Sequence, residues 1–130
     1  MTARQKIEHL THAWYGYVTF SAIASLFRDG IPGFFSIIWA GMGLLVSLFV
    51  TWFIGRRLLA KSSLVRFVLL VWTGIGSLFG AMATGKAAWV FFQTWSFSFI
   101  GIAVFAGVAA YMHMRSFRTL MDSSVRAYFN

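Results

Sequence analysis

Four long runs of apolar residues, separated by short polar segments, dominate the sequence. They cover residues 13–27, 34–54, 67–84 and 87–112. A helix needs about 20 apolar residues to cross the ~30 Å hydrocarbon layer of a bilayer, so the second and fourth runs are long enough and the third is adequate. The first run reaches that length only if it begins near Leu10 and places His12 at the lipid head groups. The pattern therefore predicts an all-α membrane protein, a single-domain bundle of four transmembrane helices over about residues 10–27, 34–54, 67–84 and 87–112.

Composition supports a membrane protein and removes several kinds of chemistry. Of the 130 residues, 59% are hydrophobic and only 11% are charged, against roughly 25% charged in soluble domains. The chain has no cysteine, which excludes disulfides, thiolate nucleophiles and thiolate metal ligands. The aromatic residues Trp14, Tyr15 and Tyr17 favour a retained first span over a cleaved signal peptide.

Three connections join the predicted spans. Residues 28–33, which contain two glycines and a proline, are expected to form a turn. Thr84, Gly85 and Lys86 are expected to form a tight hairpin between the third and fourth spans, with Gly85 in the left-handed conformation. Residues 55–66 are expected to lie as a basic connection on the head groups, with Ser62 or Ser63 capping the third span. The segment 115–130 is predicted to be an amphipathic helix at the membrane surface or against a partner protein.

The positive charges are distributed unevenly between the two predicted sides of the membrane. Nine Lys and Arg residues lie on the side of the termini, whereas only Arg28 and Lys86 lie on the other. By the positive-inside rule, both termini are cytoplasmic in a plasma (inner) membrane. Because the cations border apolar spans, the net charge of +8 favours anionic lipid head groups as partners over nucleic acid. The cations expected at the head groups are Arg56, Arg57, Lys61 and Arg66.

The segment GAMATGKA at residues 80–87 is one letter short of the phosphate-binding signature G-x-x-x-x-G-K-[ST]. That signature works when a strand delivers a glycine-rich turn and a hydroxyl binds Mg²⁺. Here an apolar span precedes the glycines, and Ala87 replaces the hydroxyl. The sequence therefore predicts a helix end and an interfacial lysine instead of a nucleotide site.

The polar residues give little support for catalysis or cofactor binding. The three carboxylates, Glu8, Asp29 and Asp122, all lie outside the predicted spans, so no acid/base pair or intramembrane ion site is indicated. His9, His12 and His113 leave open the hypothesis of a metal or haem between the ends of the first and fourth spans. The alternative is three interfacial imidazoles. No cofactor is predicted, and the chain is not expected to be an enzyme.

Small residues recur every three or four positions along the spans, which favours close packing of helices in lipid. The stripes contain Gly43, Ser47, Thr51 and Gly55 in the second span, Gly76, Gly80 and Thr84 in the third, and Ala103, Gly107 and Ala110 in the fourth; Tyr17, Ser21 and Ser25 share this spacing in the first. The alternative is that hydroxyl-bearing faces line a path for water or a solute. The ligand or pore candidates are Gln93, Thr94, Ser47 and Thr51, of which Gln93 is expected to be buried.

The run FIGRRLLAKSSLVRFVLLV, at the end of the second span and the start of the third, resembles the basic connection of GtrA-like four-helix proteins. That family is associated with moving lipid-linked sugars across membranes. The chain lacks the asparagine that the family places before the basic group and the Trp-Val-Phe ending after the fourth span, so we do not assign it to the family.

The abundance of packing features and the lack of catalytic groups together predict a non-catalytic subunit that works as a homo-oligomer or beside a partner membrane protein. The alternatives are a small channel, transporter or flippase for a lipid-linked substrate and, more weakly, a haem- or metal-binding anchor.

Overall fold

The computed structural model describes residues 1–27 and 30–130 and contains five helices in that part of the chain. They are α1 (Ala3–Leu26), α2 (Phe34–Leu59), α3 (Ser63–Thr94), α4 (Ser98–Met121) and α5 (Ser123–Tyr128). Helix accounts for 88% of the chain, without strands in the described residues. The prediction of an all-helical chain is confirmed.

Three of these helices, α2, α3 and α4, are long and apolar enough to span a membrane. The apolar pattern of the sequence predicted four spans, so the predicted count is not confirmed. The difference lies in α1, which begins at Ala3 and therefore includes a polar first half with Arg4, Lys6 and Glu8 before its apolar half. Its length of 24 residues suffices for a span, but its composition does not match that of the other three.

The third helix does not end where the sequence predicted. Thr84, Gly85 and Lys86 lie inside α3, which continues to Thr94, so the predicted hairpin at this position is wrong. A glycine inside a helix costs only about 1 kcal/mol, and the helix formers Ala87 and Ala88 follow it. The turn lies instead at residues 95–97, where Trp95 adopts the left-handed conformation with φ 54°.

The basic connection between α2 and α3 is much shorter than predicted, because both helices extend into it and only residues 60–62 remain between them. Lys61 closes α2 in the left-handed conformation with φ 62°. The amide of Ser62 donates to the Arg57 carbonyl at 3.1 Å and that of Lys61 to the Leu58 carbonyl at 3.0 Å, the hydrogen bonds of a Schellman motif. The Ser62 hydroxyl then accepts from the Val65 amide at 3.4 Å, which identifies Ser62 as the cap of α3.

The predicted C-terminal amphipathic segment is divided between two helices. Residues 115–121 continue α4, and only Ser123–Tyr128 form the separate helix α5. Asp122 separates the two helices: its backbone is extended, with ψ 138°, and its carboxylate accepts from the Ser124 amide at 3.0 Å. Asp122 therefore caps α5.

The chain forms two compact units. The first comprises Met1–Val65 with Ala127–Asn130, and the second comprises Arg66–Arg126. In the first unit α1 packs against α2 in antiparallel fashion, with Thr11 beside Gly55 and Ser25 beside Ala40. In the second unit α3 and α4 are antiparallel, with Gly74 beside Phe117 and Thr84 beside Gly107.

Candidate functional site

We call the contact line between α1 and α2 the α1–α2 seam. Clefts lie at three places along it within the described residues 1–27 and 30–130. The basic-end cleft, near the start of α1 and the end of α2, has a volume of 170 Å³. The central groove has a volume of 370 Å³, and the turn-end cleft, beside residues 30–33, one of 540 Å³. Each of these volumes is several times larger than the roughly 30 Å³ that one water molecule occupies in the liquid. The two helices therefore leave room for other molecules between them.

The central groove combines small residues with hydroxyl groups. A Cβ added at Gly43 would find nothing within 4 Å, so the groove is open at this point. The hydroxyl of Ser25 donates to the Ala22 carbonyl at 2.9 Å, whereas those of Tyr17, Ser21 and Ser47 have no hydrogen-bond partner within residues 1–27 and 30–130. The groove is lined by Tyr17, Val18, Ser21, Ala22, Ser25, Ala40, Gly43, Leu44 and Ser47.

The basic-end cleft contains the charged and aromatic residues of the seam. Gly55 forms its floor, because a Cβ there would lie 2.8 Å from the Thr11 methyl carbon. The Glu8 carboxylate is held by the Arg4 Nε at 3.1 Å. The cleft is lined by Glu8, Thr11, His12, Tyr15, Trp52, Gly55, Arg56 and Leu59.

The four predicted ligand or pore candidates do not come together. Ser47 lines the central groove, and the Thr51 hydroxyl donates to the Ser47 carbonyl at 2.8 Å within α2. Gln93 and Thr94 belong to the other unit, at the end of α3, where both are exposed. The expectation that Gln93 is buried is wrong, because the turn at residues 95–97 places it at a helix end.

The predicted packing glycines have different surroundings in the two units. In the second unit, a Cβ at Gly76 would lie 2.7 Å from the His113 Nδ1, and one at Gly80 would lie 2.9 Å from the Ala110 Cβ. Gly107 has more room, with Thr84 at 3.8 Å. In the first unit only Gly55 is in such close contact, whereas Gly43 borders open space.

The four cations predicted at the lipid head groups each have a defined contact. The guanidinium carbons of Arg56 and Arg57 lie 5.2 Å from the ring centroids of Trp52 and Phe53, respectively. The Lys61 ammonium lies 4.9 Å from the ring of Tyr128, whose hydroxyl donates to the Leu59 carbonyl at 2.6 Å.

Arg66 differs from the other three because its guanidinium contacts a backbone carbonyl and not an aromatic ring. Its Nε and Nη2 donate to the Leu120 carbonyl at 3.1 and 2.9 Å. A positive charge on the last carbonyls of α4 is favourable both as a cap and toward the helix dipole.

The histidines do not form a metal site in the described part of the chain. No group of three or more His, Cys, Asp or Glu side chains able to hold a metal ion occurs in residues 1–27 and 30–130. His9 and His12 are exposed residues of α1, and His113 packs on Gly76. The predicted carboxylate Asp29 and the cation Arg28 lie outside the described residues.

The segment GAMATGKA is helical over its whole length. The amides of a phosphate-binding loop must converge on the ligand, whereas those of residues 80–87 lie within a helix. The helix end predicted for this segment is therefore wrong, because α3 continues through it.

The site also contains Thr11, Tyr15 and Trp52, which were not predicted from the sequence. A signal was present, because Glu8, Thr11, His12 and Tyr15 follow the 3–4-residue spacing of one helix face. The predicted first span began only near Leu10, which hid the continuity of this face. Trp52 also resembles an ordinary interfacial aromatic residue until its contact with Arg56 is known.

Comparisons with known proteins do not supply a family. No protein-family model matches the chain, and no significant match occurs among curated proteins or among solved structures.

Proposed function

We propose that this chain is a small multi-pass subunit of a membrane complex, without catalytic activity of its own, and that its central groove receives a helix from another copy of the chain or from a partner membrane protein. The observation that carries this proposal is the combination of open space at Gly43 with the three hydroxyls of Tyr17, Ser21 and Ser47 that lack partners in the described residues. In lipid, small residues permit close approach of helices, and hydroxyls gain interhelical hydrogen bonds.

The proposed topology has four spans and two cytoplasmic termini in a plasma (inner) membrane. The apolar half of α1 lies along α2 from Thr11 beside Gly55 to Ser25 beside Ala40. Because α2 is itself long and apolar enough to span, α1 would cross the membrane with it. In the first unit the cations Arg4, Lys6, Arg56, Arg57 and Lys61 share one end of the helix pair, which the positive-inside rule assigns to the cytoplasm.

In the second unit the charge pattern supports the same orientation. Arg66 lies near the start of α3, and Arg115 and Arg118 lie near the end of α4, which are the same end of that antiparallel pair. Lys86 is 20 residues beyond Arg66 in α3, or about 30 Å at 1.5 Å per residue. This rise matches the thickness of the hydrocarbon layer, so Lys86 would lie at the opposite interface.

The assembly is tested by the mass of the purified protein in mild detergent. We expect the wild-type particle to exceed the 14.6 kDa of one chain or to contain a second protein. Gly43→Leu should reduce that mass, because leucine fills the groove without meeting an atom of its own chain within 4 Å of its Cβ. Met42→Leu, an exposed neighbour in α2, is the matched control. A wild-type monomer without a partner, or a Gly43→Leu particle of unchanged mass, would contradict the proposal.

A second candidate function, movement of a polar or lipid-linked solute along the seam, is favoured by the order of the clefts. Charged residues at the basic end are followed by the hydroxyls of the central groove and then by Ser25 and Ser36 at the turn end. Such a path would let a polar group cross beside α2 while apolar chains remain in lipid. A lipid-scrambling assay in reconstituted vesicles tests this candidate, with Ser47→Leu expected to slow transfer and Met42→Leu expected to leave it unchanged.

A further inference from the structure

The basic-end cleft has the features of a defined phosphate site, beyond a general attraction of basic residues to a membrane surface. Its central residue is Arg56, in the last turn of α2. The guanidinium is stacked on Trp52, with 5.2 Å from its carbon to the ring centroid. Within residues 1–27 and 30–130, Arg56 has no acidic partner.

Stacking on an indole affects what this arginine can bind. The face of the indole ring attracts the positive charge of the guanidinium and restricts its rotation. The N–H donors along the edge of the guanidinium remain available for two parallel hydrogen bonds to phosphate oxygens. A preorganised donor loses less conformational entropy on binding than a free side chain does. Arg56 is therefore better prepared for a phosphate group than an unsupported surface arginine.

Two further donors line the same cleft from α1. The rings of His12 and Tyr15 lie 6.4 Å apart, and the Tyr15 hydroxyl has no hydrogen-bond partner in the described residues. A phenolic hydroxyl and an imidazole N–H are both able to donate to a phosphate oxygen. Arginine from one helix and donors from the other would thus bind the ligand from both sides of the cleft.

The acidic group in the cleft does not prevent anion binding. Glu8 is paired with Arg4, at 3.1 Å between Nε and Oε1, so Arg4 offsets its negative charge and leaves Arg56 as the uncompensated charge of the cleft. The helix dipoles have little net effect, because the start of α1 and the end of α2 lie together and have opposite signs.

The surroundings of the cleft indicate that the phosphate belongs to a lipid. The residues of α2 that precede Arg56 include exposed apolar side chains, among them Phe49, Val50 and Phe53. The acyl chains of a phospholipid whose phosphate lies in the cleft would lie along this surface, and Trp52 occupies the position of an interfacial aromatic residue. We infer that the basic-end cleft binds the phosphate group of a membrane phospholipid through Arg56, Tyr15 and His12.

The test is a lipid titration of the full-length protein in mild detergent, with phosphatidylglycerol as the probe and native mass spectrometry as the measurement. Arg56→Gln should weaken saturable binding about tenfold, because a charge-assisted, bidentate contact is lost. The matched control is Arg57→Gln. Arg57 has the same charge, is adjacent in the sequence and is stacked at the same 5.2 Å on Phe53, but it does not line the cleft.

Equal weakening in the two variants would indicate diffuse attraction and overturn the site, as would a wild-type titration that does not saturate. Tyr15→Phe, which removes only a hydroxyl, should weaken binding about threefold and tests the site even if Arg56→Gln fails to fold. In a second experiment, inorganic phosphate and glycerol phosphate are added as competitors of the bound lipid. Displacement of the lipid by either at a comparable concentration would assign the site to a soluble phosphate compound and overturn the lipid assignment.

Lipid binding in the basic-end cleft does not depend on the proposed assembly. Gly43 lines the central groove and not the basic-end cleft, so Gly43→Leu should leave lipid binding unchanged even if it alters the mass of the particle.

Discussion

The two antiparallel helix pairs of this chain use small residues in opposite ways. In the second unit α4 covers two glycines of α3: a Cβ would come within 2.7 Å of a neighbouring side chain at Gly76 and within 2.9 Å at Gly80. In the first unit Gly43 borders a groove of 370 Å³, and a Cβ there would meet no atom within 4 Å. The two helices of the α3–α4 pair are in close contact at Gly76 and Gly80, whereas those of the α1–α2 pair are in close contact at Gly55 and leave open space at Gly43.

This difference shows that a small-residue stripe has two physical meanings in a membrane. Where the facing helix is close, the missing side chain is what permits the contact, and dispersion contacts of about 0.1–0.2 kcal/mol each accumulate along the line. Where the facing helix is farther away, the same stripe leaves a concave surface that another molecule can fill. Gly76→Leu and Gly80→Leu would therefore disturb the packing of α3 on α4 within the second unit. They are for that reason unsuitable as tests of a contact between two chains.

The largest expected effect comes from adding one methyl group to the closed pair. Gly80→Ala should lower the free energy of unfolding by about 2 kcal/mol, a typical cost of overpacking, because the new Cβ would lie 3.0 Å from the Ala110 Cα, a backbone atom that cannot rotate away. Reversible unfolding in mixed micelles, followed by circular dichroism, measures the change.

Gly43→Ala is the matched control in the open pair. It should leave the stability unchanged or raise it by up to about 1 kcal/mol, since alanine is the better helix former. Equal effects of the two alanine substitutions would remove the distinction between a closed and an open pair.

A smaller effect is expected at Gly76, where the nearest atoms belong to a side chain. Gly76→Ala should lower the free energy of unfolding by about 1 kcal/mol. The His113 Nδ1 would lie 2.7 Å from the new Cβ, so the ring must shift, and a side chain is able to do so. In a protein that already carries His113→Ala, Gly76→Ala should leave the free energy of unfolding almost unchanged. A double-mutant cycle should therefore give a coupling energy of about 1 kcal/mol between the two positions. Gly85→Ala, at an open position of α3, should be additive with His113→Ala. Additivity at Gly76 as well would contradict the proposed contact.

The smallest effect concerns the end of the open pair, where Lys61 occupies a position that favours glycine. Lys61→Gly should raise the free energy of unfolding by about 0.5 kcal/mol, because relief of the left-handed conformation, about 1 kcal/mol or more, exceeds the loss of the contact with Tyr128. Ala60→Gly is the control, since Ala60 has an ordinary φ of −79° and its replacement should be destabilising. A stabilising Ala60→Gly would show that backbone strain at Lys61 is not the cause.

Several features followed from the sequence because they depend on local physics. Long apolar runs with few charges predict membrane helices whatever their neighbours, and α2, α3 and α4 agree with that prediction. The cap at Ser62 was among the two candidates, since a hydroxyl before a helix satisfies a free amide. The absence of cysteine and the position of the carboxylates outside the predicted spans limit the possible chemistry through residue type and position alone.

Other features depended on energies that one segment of sequence does not contain. Gly85 and Lys86 had the composition of a turn, yet the helix continues to Thr94, because a single glycine costs less than the hydrogen bonds and side-chain contacts that a longer helix gains. Gln93 was expected to be buried because it lies among apolar residues, but its exposure was decided by the position of the turn.

The composition of the candidate site was decided by the register of α1 against α2. Spacing along one helix places Glu8, His12 and Tyr15 on one face, but it does not state which residues of another helix stand opposite them. Thr11 contacts Gly55, and this contact brings Arg56 and Trp52 to the same cleft. The sequence by itself thus determined which segments form apolar helices and where their charges lie. Only the tertiary structure decided which small residues close a contact and which leave a groove, because that depends on the distance between two helices.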